Sequence, residues 1–336
     1  MPEPVIRTGL RRRDLATAAL GAASALAARP AAADPSWPSR PVRFIVGYPA
    51  GASTDLCARI LAEDMRTRLG QPVVVENRTG ANGSIGAAAV ASAPPDGHTL
   101  LVSNTSTMTV NHLLYRDIRY HPLRDLLPVA SVTVSPFVLA VNPNNPRTRS
   151  VRGLQGLVAL AKERPGGVVY GSAGNGNLQH LNMELFGRIA GVRMLHVPYR
   201  GAALAQNALV AGEVDVVLDT PSAVPLFRSG VLAPVASTGA ARWRDLPEVP
   251  TAAEAGYPDF VATFWNGLVA PAGLPPAIVE RLHRAVEEAA QAPATRQLLL
   301  AQGDVVVLGP APFRERIERD IGRNAEVIRS AGIEMQ

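Results

Sequence analysis

The sequence predicts an α/β protein of two domains, and three observations carry that expectation. Strand-like apolar runs alternate with helix-like ones over most of the chain, the pattern of βαβ units with parallel sheets. The 336 residues favour two domains of ordinary size, each able to bury its own core. Apolar residues make up 47% but aromatic ones only 5%, so the interior is packed mainly from Ala, Val and Leu.

Taken in order, "VRFIVGY" (42–48) reads as a strand that hands over to a helix at 55–69. "PVVVENR" (72–78) leads into a small-residue helix at 83–93, and "HTLLVSN" (98–104) into a short one. "LLPVASVTVSPFVLAVNP" (126–143) has the length and β-branched content of two strands. The theme then repeats: helix 151–163, strand 166–173, helix 177–190, strand 193–199, helix 202–211 and strands 214–220 and 232–238. "FVATFWNGLVAP" (260–271) precedes helices near 275–291, 293–302 and 312–331. Two extended segments, 136–142 and 261–269, bracket the middle third. As crossovers they would divide the chain into one domain at 34–140 plus 265–336 and a second at 141–264, with a ligand cleft between.

Residues 1–33 have a different character. Arg11, Arg12 and Arg13 precede "LATAALGAASALAA" (15–28), and "AAA" (31–33) precedes Asp34. A basic start, a short apolar core and a small-x-small exit describe a secretory signal peptide cleaved after about Ala33. The apolar run falls short of the ~20 residues that span a bilayer. "RRRDLA" also resembles a twin-arginine signal, so the Sec and Tat routes both stay open. This leader holds five Arg and two acidic residues, so +3 of the formal +5 belongs to it. The remainder is near neutral, with Lys162 its only lysine and no cationic stripe, which argues against nucleic acid as a partner. Cys57 is the sole cysteine, which excludes an internal disulfide and multi-cysteine zinc clusters; it reads as a small buried residue.

Small and hydroxyl-bearing turns follow several strands: "PAGASTD" after the first, "TGANGSIG" after the second, "TSTMT" after the third and "SAGNGNLQH" at 172–180. Each offers backbone N–H groups at a helix start, where the dipole favours an anion. Each could equally be a plain cap, with Thr54 or Asp55, Ser106 and Asn177 as capping residues. Four such turns together favour a cradle for a small acid. Arg200 is placed either to clamp a carboxylate or to lie on a rim. Asp219 is placed either to accept from a ligand or to cap a helix. Trp265 fits a hinge or core position more readily than a stacking platform. His180 and Glu184 share a helix face, as a packed pair or as a metal or proton-transfer pair. No P-loop, zincin helix, nucleophile elbow or complete dinucleotide fingerprint is present. No cofactor or metal is expected.

"GASTDLCAR", "VVVENRTGANGSIGA", "PPDGHTLL", "GSAGNGNLQHLNMELF" and "VPYRGAALAQNALVAGEVDVVLDTPSA" together resemble the Bug family of extracytoplasmic solute receptors, which serve tripartite tricarboxylate transporters. The resemblance spans the chain beyond the leader. It implies a two-domain periplasmic-binding-protein-like (type II) fold with two crossover strands and an interdomain cleft closing on a small carboxylate. By position it carries over Tyr48, Ala50, Gly51, Ser53, Thr54 and Asp55 from the first loop, and Ser103, Asn104, Thr105 and Ser106 from the third. From the second domain it carries over Ser172, Gly174, Asn175, Asn177, His180, Tyr199 and Asp219. The family's Pro-Pro-Gly-Gly-x-x-Asp loop reads here Pro49-Ala50-Gly51-Ala52-Ser53-Thr54-Asp55. Ala52 disfavours positive φ, so either the backbone there is extended or helical, or the pocket has shifted.

The expectation is thus a periplasmic, monomeric receptor and not an enzyme. Its ligand would be a small organic acid or amino acid, and its partner a transporter's membrane permease subunits or a sensor-kinase ectodomain. The runner-up is a secreted hydrolase or transferase with a histidine-assisted serine.

Overall fold

The computed structural model describes residues 37–331 and Ile333. The leader expected at 1–33 lies outside the described residues. Among them, no helix is long and apolar enough to cross a membrane.

Two sheets organise the chain. The first takes β1 (Val42–Val46), β2 (Val73–Asn77), β3 (Thr99–Asn104), β4 (Leu126–Pro136), β10 (Thr263–Pro271) and β11 (Asp304–Val305), in the order β11-β4-β10-β3-β1-β2. The second takes β5 (Val138–Val141), β6 (Val169–Ser172), β7 (Leu195–Pro198), β8 (Val216–Asp219) and β9 (Ala233–Ser237), in the order β7-β6-β8-β5-β9. The chain passes from one sheet to the other at Phe137, between β4 and β5, and returns before β10. We call the parts around each sheet the first and second lobes.

Parallel sheets were the expectation from alternation; both sheets are mixed. The βαβ strands pair in parallel, β2-β1-β3 in the first sheet and β7-β6-β8 in the second. The strands that carry the chain between sheets pair antiparallel, β10 with β3 and β4, and β5 with β8 and β9. The return strand enters the first sheet from the opposite end, so its ladder runs the other way.

The helices that matter for the cleft are α1 (Ser53–Leu69), α2 (Ser84–Ala91), α3 (Thr105–Thr109), α4 (Asn111–Leu114), α5 (Gly153–Glu163), α6 (Leu178–Ala190) and α7 (Ala202–Ala211). After α8 (Val224–Arg228), the C-terminal set α9 (Pro276–Gln291), α10 (Pro293–Leu300) and α11 (Pro310–Ala331) returns to the first lobe. Trp265 is a core residue: it is buried, meets Phe313 edge-to-face at 4.9 Å and donates its indole N–H to Asp320 at 2.8 Å. Cys57 is buried too, and burial pushes its thiol up to about 12, which makes it inert. The glycines of "GANGSIG" serve packing. A Cβ on Gly47 would sit 2.6 Å from the Gly83 Cα, so the end of β1 and this turn touch backbone to backbone.

Candidate functional site

The start of α1 is the centre of the site. Ala52 occupies the N-cap position with φ −67° and ψ 155°, and no side chain caps the helix. Thr54 and Asp55, the expected caps, lie one or more residues inside the helix. The extended backbone at Ala52 also settles the question raised by its sequence: no positive φ is needed there. That demand falls on Gly51, at φ 84°.

Asp55 shapes this loop from below. It is buried, and its carboxylate accepts from the Gly51 amide at 2.8 Å, from Arg59 Nε and Nη2 at 2.9 and 3.0 Å, and from Asn77 Nδ2 at 2.8 Å. Burial alone would raise its pKa, but Arg59, Asn77 and the Gly51 N–H more than offset that and hold it below the usual range. The Ala52 amide turns back to the Pro49 carbonyl, and the first helical bond is Leu56 N–H to Ala52 O. The amides of Ser53, Thr54 and Asp55 therefore find no acceptor among the described residues. The Ser53 hydroxyl is buried and also unpartnered.

Across the cleft, α7 begins in the same way. Gly201 is its N-cap with φ 123° and supplies no side-chain cap, so the first turn of α7 is bare as well. A Cβ built on Gly201 would lie 3.8 Å from Pro49 Cγ, so the two helix starts face each other at close range. Both border a cavity of about 300 Å³, enclosed further by Phe137 and Phe264 from the crossover segments and by Leu178 and Leu204.

The other turns behave differently. All four were expected to offer free amides, but the 172–179 turn closes on itself. Ala173 N–H donates to Gln179 Oε1, Gly174 N–H to Ser172 Oγ, Gly176 N–H to His180 Nδ1 and Gln179 N–H to Asn177 Oδ1. Leu178 N–H crosses to Ser106 Oγ on the first lobe. Asn177 Nδ2 crosses to Asn82 Oδ1, and the Tyr115 hydroxyl to the Asn175 carbonyl. In the third loop it is Asn104, not Ser106, that caps the following helix, accepting from Thr107 N–H while donating to Thr54 Oγ1.

Of the residues expected at the site, Tyr48, Ala50, Ser53, Thr54, Asn104, Ser106 and Asn177 line the 300 Å³ cavity. Gly51 lines a contiguous chamber toward α8, and Gly174, Asn175 and Tyr199 line one on the opposite side with Tyr48. Asp55, Ser103, Ser172, His180 and Asp219 border none of these chambers, and Thr105 faces the hinge side with Asn182 and Asn324. Asp219 is fully buried, and its carboxylate takes the Gln206 amide and the Thr220 N–H at 2.8 Å each, so it neither caps a helix nor reaches the cleft. Burial raises it to about 6. Phe137, Phe264, Leu178, Leu204 and the bare amides of α7 were not expected, although Arg200 just ahead of α7 was singled out and lines the cavity; poor capping residues ahead of a helix were the available signal.

A hydrolase would need its serine where substrate can arrive. Ser172 Oγ does meet His196 Nε2 at 2.6 Å, yet Ser172 is fully buried and no carboxylate bonds to His196 among the described residues. His180 stacks on His196, while Glu184 accepts from the Tyr170 hydroxyl. Among the described residues no group of three or more His, Cys, Asp or Glu could hold a metal ion.

The chain is similar to known receptors over nearly its whole length. It is 39% identical to Protein BugT of Bordetella pertussis over 327 residues, covering 96% of this chain and 99% of that protein. The solved structure of R. palustris Rpa4515 with adipate is 33% identical, with a TM-score of 0.84, 89% of this chain and 100% of that one covered. MatC (Rpa3494) from Rhodopseudomonas palustris with bound malate is 32% identical, with a TM-score of 0.79, 87% and 100% covered. The model of the tripartite tricarboxylate transporter family receptor matches residues 57–333. With its two-sheet solute-binding fold and a cleft between the sheets, the chain belongs to the tripartite tricarboxylate transporter receptor family.

Proposed function

We propose that the chain is a periplasmic receptor that captures a small carboxylate in the cleft and delivers it to a membrane permease or to a sensor-kinase ectodomain. The observation that carries this reading is the bare start of α1, where Ser53 and Thr54, with free amides and the unpartnered Ser53 hydroxyl, border the cavity. A helix of 17 residues left uncapped holds partial positive charge at that end, and a carboxylate supplies the missing acceptor. The adipate and malate bound by the two solved relatives are acids of this kind. Lobes at 34–140 plus 265–336 and at 141–264, hinged at the crossovers, would close over the ligand as a monomer. Export follows from the leader-like residues 1–33, through Sec or Tat.

Tyr48, Ala50, Gly51, Ser53 and Thr54 would form the carboxylate end, with Asp55 bracing the loop from behind. Ser106 and Asn177 would hold the lobes in register, with Asn104 tying α1 to the third loop. A thermal-shift and calorimetric screen of amino acids, di- and tricarboxylates and aromatic acids tests the reading. One acid should bind at one site, and at a hundredfold excess over Kd should stabilise the chain by about 2.7 kcal/mol. No stabilisation by any acid would overturn it.

A further inference from the structure

Nearly every polar side chain bordering the cavity is already committed to the protein. Asn104 donates to Thr54 and accepts from Thr107. Asn177 accepts from Gln179 and donates to Asn82. The Gln179 amide accepts from Ala173 and donates to the Leu218 carbonyl. The Tyr48 hydroxyl lies 3.0–3.2 Å from Asn82, Asn104 and Thr107.

Most of the uncommitted groups belong to two helix starts. They are the bare starts of α1 and α7, the Ser53 hydroxyl and Arg200, which follows Tyr199 into α7 and borders the cavity with no acceptor among the described residues. The two starts are neighbours, since Gly201 backs onto Pro49. The apolar part of the lining is Phe137 and Phe264, edge-to-face at 6.0 Å, with Leu178 at the start of α6 and Leu204 in the first turn of α7. Leu204 is 49% exposed, a large apolar side chain left open beside the cavity.

We infer that the ligand is an aromatic monocarboxylic acid, its carboxylate between the starts of α1 and α7 and its single ring against Phe137, Phe264, Leu178 and Leu204. This rests on the receptor reading and narrows it. A second carboxylate or a hydroxyl would leave water for a lining of Phe137, Phe264, Leu178 and Leu204 with few unspent donors, chiefly the O–H groups of Ser106 and Thr54, which weakens binding. A flat ring instead gains apolar contact with the two phenyl groups that border the cavity. The cavity of about 300 Å³ is at the small end of ligand sites and suits one ring.

Calorimetry of the purified chain with benzoate, hexanoate, adipate and malate tests the inference, with Leu204→Gln as the variant. Leu204 is half exposed, so the variant folds, and an unchanged melting temperature verifies that. Benzoate should bind at least about tenfold tighter than adipate or malate, and L204Q should weaken benzoate about fivefold. Tighter binding of adipate or malate would overturn the aromatic class and leave the receptor reading standing. Tighter binding of hexanoate would overturn the ring, and unaltered benzoate affinity in L204Q would overturn its placement. Failure of all four acids, and of the wider panel, would overturn the receptor reading itself.

Discussion

Mild acid should destabilise the second lobe, and the sign follows from two stacked rings beneath the 172–179 turn. His180 and His196 lie 7° from parallel with centroids 4.0 Å apart, and Tyr170 stacks on His196 at 4.8 Å. His180 Nδ1 accepts from Gly176 N–H, which it does only while unprotonated. Burial, reinforced by the neighbouring His180, lowers His196 to about 3. Burial lowers His180 as well, against the opposing pull of Glu184. In the unfolded chain both rings titrate near ~6.5. Above that pH both states are neutral and the pair adds no pH dependence. Below it the unfolded chain binds protons that the folded chain excludes, so stability falls as pH falls, until the folded pKa is reached. From about pH 7 to about pH 5 the linkage amounts to at most ~2 kcal/mol for His196. Solvent reaches part of the ring, and halving for that screening leaves about 1 kcal/mol. Urea unfolding at the two pH values, in the parent chain and in His196→Phe, measures it. Phe keeps a flat ring between Tyr170 and His180 but takes up no proton. Its loss on acidification should be smaller by ~1 kcal/mol, and equal losses in the two proteins would refute the reasoning.

Two further outcomes follow from the α1 loop. Ala52→Ser places a good cap at the extended N-cap position, so unfolding should become harder by ~1 kcal/mol while carboxylate affinity falls, because the new hydroxyl competes for the Thr54 and Asp55 amides. Urea melts and calorimetry on the one variant check both signs; a gain in affinity would contradict the anion site. Asp55→Asn removes the charge that draws Arg59 and Asn77 under the loop, and should cost ~1.5–3 kcal/mol in urea melts together with ligand affinity.

The order of strands and helices was legible because period and turn chemistry are local properties. Even the crossovers at 136–142 and 261–269 were visible as extended apolar runs. Strand direction was not, since β10 and β5 pair with strands far away in sequence, and nothing local records which end of a sheet the chain re-enters. The partners of the second-lobe residues were hidden for a related reason. Ser172, His180 and Asp219 are polar, near a strand end, and of the types that bind acids, yet each is already spoken for, by His196, by Gly176 and by Gln206 with Thr220. Whether a polar group is free depends on all its neighbours, and sequence shows only those along the chain.

That difference explains which residues mark an amide-built anion site. A loop rich in Ser, Thr and Asn attracts attention, but those side chains satisfy helix starts and so remove the donors a ligand needs. In the 172–179 turn they do so: Asn177 caps α6. The two starts that stay open at the cavity are preceded by Ala52 and Gly201, residues with no side-chain oxygen. For a receptor that grips anions with its backbone, the informative letter is therefore a missing cap ahead of a helix that starts at the cleft. Restoring that cap at Ala52 sets helix stability against ligand affinity at a single atom.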